Sequence, residues 1–188
     1  MKKHSLHRLA AAAILGLASL TAQAAAVVVN VSGAQSINLL GETGNTVWLL
    51  DIGANAVLNS LSWDVTLNAL DPSLLSEMQL SFGSSSGLDL VTVAPAELDP
   101  SSGTGSYAGG ADLATLGLVV GSDGLLRIEF SESFKDFAPG TADGQWVSGI
   151  LSFDVSAAAV PEPASAALVL LGLGIVLAQR RRAGPNVG

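Results

Sequence analysis

The residues that could do acid–base or nucleophilic chemistry are unevenly placed along this chain. Both histidines, His4 and His7, lie near the beginning, and the 188 residues include no cysteine. The region from residue 25 to residue 159 therefore has neither imidazole nor thiol groups. This excludes from it a Ser-His-Asp triad, a Cys-His dyad and a His-ligated zinc site. Carboxylates are the reactive groups that remain there.

Fifteen acidic residues and two basic ones, Arg127 and Lys135, give this region a net charge of −13. Such a surface repels nucleic acid and anionic lipid, and divalent cations are its natural small partners. Calcium takes six to eight oxygens from flexible loops. The oxygen-rich segments around Asp123, Asp136 and Asp143 are therefore the candidate calcium site.

The candidate calcium aspartates also have a simpler explanation. Asp123 and Asp143 each precede a glycine, as turn residues commonly do, and the spacing of an EF-hand is absent. The expectation is therefore that no cofactor is required. A glycosidase needs only two carboxylates in a cleft, but no pair stands out by its spacing.

Aromatic side chains are the candidate ligand contacts, because their faces can stack on sugar rings. Tyr107 lies in a stretch rich in glycine and serine and is the best-placed exposed aromatic. Trp146 follows Asp143-Gly144 at the start of a predicted strand and is the second candidate if it is exposed, but a core position is the preferred interpretation. Trp63 falls in the apolar register of its strand and is expected in the core.

The central region repeats its apolar residues with a period of two, which is typical of strands with one face on a core. Leu61, Trp63, Val65 and Leu67 are the clearest example. The same alternation predicts strands at residues 78–82, 126–130 and 147–155, with core-facing Val147, and apolar runs predict further strands at residues 27–31, 47–52, 88–93 and 116–120. Turn formers separate them at residues 41–45, 71–73 and 122–124. Residues 83–87 and 95–110 are rich in Ser, Gly and Pro, and the second of these stretches is predicted to be a mobile surface loop.

Seven or eight short strands joined by such turns indicate an all-β domain. The predicted architecture is an antiparallel β-sandwich of jelly-roll kind, spanning residues 25–159. Because the chain has no cysteine, its stability must come from the apolar core alone. A domain of about 135 residues buries roughly two-thirds of its unfolded surface, which is enough for such a core.

The N-terminal residues have the three parts of a secretory signal peptide. Basic residues at 2, 3 and 8 precede an apolar stretch at residues 9–20, and Ala22 and Ala24 fit the small-x-small cleavage pattern. Residues 1–24 are therefore predicted to form a helical signal peptide that signal peptidase removes after Ala24. Cleavage after Ala26 is the second choice.

The C-terminal residues combine a proline motif, an apolar run and a basic cluster. The motif is Val160, Pro161, Glu162 and Pro163; the apolar run covers residues 164–178; the cluster is Arg180, Arg181 and Arg182. A spanning helix needs about 20 apolar residues, so this run can cross a thin bilayer when its flanking residues extend it. Arginines are retained on the cytoplasmic face, which places everything before the motif outside.

This order of parts resembles the PEP-CTERM sorting signal, which a membrane protease called exosortase reads. The resemblance covers residues 160–182 and leaves residues 183–188 as a short cytoplasmic tail. It implies a membrane-anchored precursor that is exported and then displayed at the cell surface or in the extracellular matrix. A permanent tail anchor is the alternative, so whether the helix is removed stays open.

Three functions are compatible with the sequence. The preferred one is a non-enzymatic surface or matrix protein, sorted by an exosortase-type system linked to exopolysaccharide, as the resemblance implies. The second is a carbohydrate- or calcium-binding β-sandwich module, with extracellular polysaccharide as its partner. The third is a small carboxylate-dependent hydrolase, which needs two acids about 5 to 10 Å apart in a cleft.

Overall fold

Alternating apolar residues build two antiparallel sheets whose inner faces pack together. The computed structural model describes residues 25–158. The strands are β1 (Ala25–Asn30), β2 (Gln35–Ser36), β3 (Thr46–Asp51), β4 (Val57–Ala69), β5 (Met78–Ser84), β6 (Val91–Val93), β7 (Gly103–Asp112), β8 (Leu125–Glu132) and β9 (Gly144–Ser156). Two 3₁₀ turns lie at Leu75–Glu77 and Ala114–Leu116. The all-β class is therefore confirmed.

The strand order puts the longest strands in the middle of the first sheet. That sheet runs β1-β9-β4-β7, with β2 also paired to β9, and the second sheet runs β3-β8-β5-β6. The predicted antiparallel pairing in two sheets is confirmed. Within residues 25–158, no helix is long and apolar enough to cross a bilayer.

Aromatic rings join the two sheets at the centre of the core. Phe130 of β8 and Trp146 of β9 meet edge to face with centroids 5.0 Å apart, and Phe82 of β5 meets Phe153 of β9 at 5.3 Å. Trp48 of β3 adds a third contact to Phe130 at 4.8 Å. Such pairs contribute about 0.5–1.5 kcal/mol each beyond the area they bury. The core therefore has a specific aromatic centre.

A β-bulge reverses the predicted facing at the beginning of β9. The pairing of β4 with β9 shifts between Thr66 and Leu67, so that Val147 has no partner on β4. One extra residue moves the following side chains to the opposite face. Val147 is 43% exposed and Trp146 is fully buried, and the prediction that Val147 faces the core was wrong.

Three other predictions need correction. The apolar run at residues 116–120 begins with the last residue of a 3₁₀ turn and includes a left-handed Gly117, so it forms only an isolated bridge, through Val119. The run at residues 88–93 shortens to β6, because Leu88 points into solvent. The predicted loop at residues 95–110 instead contributes most of β7, which pairs with ten residues of β4. Partner strands thus override low local β-propensity here.

We expect neighbouring substitutions on β9 to differ sharply in cost. Trp146→Ala should lower the free energy of unfolding by about 3–5 kcal/mol, because it removes the ring at the centre of the core. Val147 is the next residue along the chain and its side chain is exposed at the bulge. Val147→Ala should therefore change the free energy of unfolding by less than about 0.5 kcal/mol. Urea melts measure both values. Equal losses for the two variants would show that the bulge is misplaced.

Candidate functional site

A buried carboxylate ends the inward-facing row of β8. Leu126, Ile128 and Phe130 face the core, and the next residue in that register is Glu132, which is 1% exposed. Its Oε1 lies close to β9, because a Cβ added at Gly144 would be 3.0 Å away. The end of the core is therefore occupied by an acid where the pattern would place an apolar side chain.

Three more acids, Glu77, Asp136 and Asp143, lie around Glu132. We call these four residues the acid cluster. Asp143 is fully buried, and its Oδ2 accepts a hydrogen bond of 2.8 Å from the backbone N–H of Asp136. Glu77 accepts from the N–H of Leu74 at 2.9 Å. Both Glu132 oxygens lack a hydrogen-bond partner within the described residues. Glu132 is thus the least satisfied member of the cluster.

Burial keeps Glu132 protonated near neutrality. Loss of solvent raises its pKa to about 8, and the negative charges of Asp143, Glu77 and Asp136 act in the same direction. The Ser36 hydroxyl lies nearby and lowers the pKa somewhat, although its geometry falls short of a hydrogen bond. The pKa of Asp136 is also raised, first by burial and then by the charge of Glu77. Glu132 is therefore the member of the acid cluster that holds a proton near neutrality.

Glu129, three residues earlier on β8, shows the opposite behaviour. It is also 1% exposed, but it accepts hydrogen bonds from Asn45 at 2.9 Å, Gly41 N–H at 2.8 Å and the Arg127 guanidinium at 2.6 Å. Burial alone would raise its pKa, and these donors together hold it below its usual value. Two equally buried glutamates thus differ in charge because only one has donors.

The candidate calcium aspartates are only partly brought together. Asp136 and Asp143 meet in the acid cluster, whereas Asp123 lies in the turn before β8 and accepts from Ser85 Oγ at 2.5 Å. The pKa of Asp123 is lowered, chiefly by that hydrogen bond. Residues 25–158 contain no group of three or more His, Cys, Asp or Glu side chains placed to hold a metal ion. Calcium binding stays a prediction.

The aromatic candidates also differ in placement. Trp146 is completely buried, so its ring faces cannot meet a ligand in this structure. Tyr107 lies on β7, half-buried, and donates a hydrogen bond of 2.6 Å from Oη to Asp99 Oδ2. Burial and this bond raise the pKa of Tyr107 to about 12. Trp63, expected in the core, packs against the core but is only partly buried.

Tyr107 and Trp63 line an open groove of about 730 Å³ at the edge of the sandwich. Asp99, Glu97 and Gln79 are polar side chains of the same groove. Sequence reasoning missed it because the segment from residue 94 to residue 99 carries no motif. The alternation of Gly105, Tyr107 and Gly109 was the available signal, since it marks one face of a strand rather than a loop.

The terminal site residues lie outside the described residues. These are Ala22 and Ala24 at the signal-peptide cleavage site, and Val160, Pro161, Glu162, Pro163, Arg180, Arg181 and Arg182 in the tail. The tail nevertheless has a sequence match: residues 159–183 fit the family model of the PEP-CTERM protein-sorting motif. The chain carries a PEP-CTERM motif. This motif implies an exported precursor that an exosortase, a membrane protease, processes.

Outside the PEP-CTERM motif, the comparisons with known proteins are sparse. No curated protein matches the chain. Two solved structures of the Tobacco streak virus coat protein show 13% and 12% sequence identity. The matches cover 78% and 77% of this chain and 96% and 95% of the coat protein, with TM-scores of 0.27 and 0.26.

We expect the domain to lose stability as the pH rises from 4.5 towards 8. Folded Glu132 keeps its proton up to a pKa of about 8, whereas the unfolded chain releases it at about 4.5. The contribution of Glu132 to the free energy of unfolding is therefore complete below pH 4.5 and is lost as the pH rises through about 8. Thermal melts across this window measure the effect.

The variant Glu132→Gln keeps the shape of the side chain and removes its titration. Its melting temperature should vary much less between these two pH values than that of the wild type. Glu42→Gln, at an exposed position, is the matched control and should retain the wild-type dependence. A wild-type melting temperature that is equal at both ends of the window would contradict the assignment.

We expect calcium and magnesium to raise the melting temperature equally at matched ionic strength. Either ion screens the repulsion within a domain of net charge −13 and so stabilises the fold. A specific calcium site would instead add stability that increases with the ratio of calcium concentration to Kd. Differential scanning fluorimetry with each chloride salt makes the comparison. A calcium-specific rise that Asp143→Ala removes would instead establish a calcium site.

Proposed function

We propose that the chain is an exported, non-enzymatic surface or extracellular-matrix protein, sorted by an exosortase-type system that is linked to exopolysaccharide. The PEP-CTERM motif at residues 159–183 carries this proposal. In this view residues 1–24 direct export, residues 160–182 hold the precursor in the membrane, and residues 25–159 are the displayed domain. Signal peptidase and the exosortase are its processing partners.

The chemistry of the displayed domain supports a non-enzymatic role. Glu132 and Asp143 of the acid cluster are buried, which keeps their carboxylates from a substrate, although glycosidases need two acids flanking the bond they cleave. In the open groove, the hydroxyl of Ser101 and then that of Tyr107 lower the pKa of Asp99. An acid held ionised in this way is a poor proton donor, which counts against the hydrolase alternative.

We propose a jelly-roll topology for the displayed domain. Its strand pairs β1·β9, β3·β8, β4·β7 and β5·β6 are nested one inside the next, as in a long hairpin folded over into two sheets. Two Greek keys wound in this way close a sandwich while leaving few free edges. A fold with few free edges suits a protein displayed outside the cell, because long unpaired edge strands promote aggregation.

Processing tests the proposed function. Co-expression with an exosortase should give an extracellular form that begins near Ala25 and ends between Pro161 and Pro163, as read by intact mass and terminal sequencing. Replacing all three arginines at 180–182 with glutamine should reduce this form, since they orient the helix. Expression without the exosortase is the control. A dominant extracellular species that still contains Arg180–Arg182 would contradict the proposal.

A further inference from the structure

The open groove lies where the edge strands β6 and β7 are joined by the segment that crosses between the sheets. Trp63 and Tyr107 of the first sheet, Gln79 and Thr92 of the second, and Glu97 and Asp99 of the crossing segment are among its lining residues. A volume of about 730 Å³ is within the range of small-ligand sites. The acid cluster and the PEP-CTERM motif contribute no residue to it.

Glycines on β7 make room for the two aromatic rings of the groove. A Cβ at Gly109 would lie 2.6 Å from Trp63 Cζ2, and a Cβ at Gly105 would lie 2.2 Å from Tyr107 Oη. Any larger residue at either position would displace a ring. The glycine-rich sequence of this edge strand therefore lets Trp63 lie over Gly109 and Tyr107 over Gly105, and both rings line the groove.

Asp99 is fixed in the groove with part of its accepting capacity unused. Its Oδ1 accepts from the N–H and the hydroxyl of Ser101 at 3.0 and 2.5 Å, and its Oδ2 accepts from Tyr107 Oη at 2.6 Å. A carboxylate has about four accepting positions, so one remains on Oδ2. Glu97 is exposed nearby and offers a second carboxylate. The groove thus combines aromatic rings with fixed acceptors.

We propose that this groove binds an uncharged oligosaccharide. A sugar ring has an apolar face of C–H groups that suits aromatic rings and a rim of hydroxyls that donate to carboxylates and to the amide of Gln79. The charge of −13 disfavours acidic polysaccharides and nucleic acids. The proposal goes beyond sorting and does not depend on how the tail is processed.

Binding of defined oligosaccharides to the full-length chain in detergent tests the proposal. The probes are glucose-, galactose- and N-acetylglucosamine-based oligomers, an acidic uronate oligomer and a lysine-rich peptide, followed by calorimetry and tryptophan fluorescence. At least one uncharged oligomer should bind, and Tyr107→Ala should weaken its affinity about tenfold. Asp99→Asn and Gly109→Ala should also weaken it, the latter by displacing Trp63.

Phe134→Ala is the matched control, because this ring is 59% exposed and lies outside the groove. Its affinity should equal that of the wild type. Circular dichroism and the melting temperature identify any variant that fails to fold; if Tyr107→Ala fails, Asp99→Asn, which changes the fixed acceptor and keeps the shape of the side chain, becomes the deciding variant and should weaken binding. The proposal is overturned if no uncharged oligomer binds, if only the uronate or the lysine peptide binds, or if Phe134→Ala weakens binding as much as Tyr107→Ala.

Discussion

Apolar contact between the two inner sheet faces is the interaction on which this domain depends. The chain has no cysteine, so no disulfide restricts its unfolded state. Phe82, Phe130, Trp146 and Phe153 make the edge-to-face contacts that join the sheets at their centre. Because β4 and β9 each span 13 residues, the first sheet covers the core along its whole length. The acid cluster and the open groove can therefore lie at the ends and edges of the sandwich without disturbing the packing at its centre.

The acid cluster and the open groove both lie where the apolar core ends. Glu132 continues the apolar register of β8 past the last aromatic contact, and its burial is tolerated because the carboxyl holds a proton. On the edge strand β7, the absence of side chains at Gly105 and Gly109 leaves space for two half-buried rings. Glu132 and Asp143 of the acid cluster are buried, whereas Glu97 in the groove is exposed.

The sequence predicted the class of fold well because alternation depends on local residues alone. It failed where a distant partner decides the outcome. The bulge opposite Thr66 and Leu67 sets the facing of Val147, and no local pattern reveals it. Residues 103–110 contain four glycines, which disfavour a strand, and pairing with β4 makes them one. The acid cluster joins residues 77, 132, 136 and 143, a proximity that only the fold creates. The PEP-CTERM motif needed no fold, because its order along the chain is the signal.

Amide hydrogen exchange of the full chain, followed by mass spectrometry with and without a chelator, tests most directly that the core alone holds the sandwich together. Slowest exchange is expected in β4, β8 and β9, at rates that the chelator leaves unchanged, and fast local exchange is expected in β6 and in residues 94–102 beside the groove. Faster exchange of β8 and β9 after addition of the chelator would contradict the account, because it would show that a bound metal ion stabilises the core.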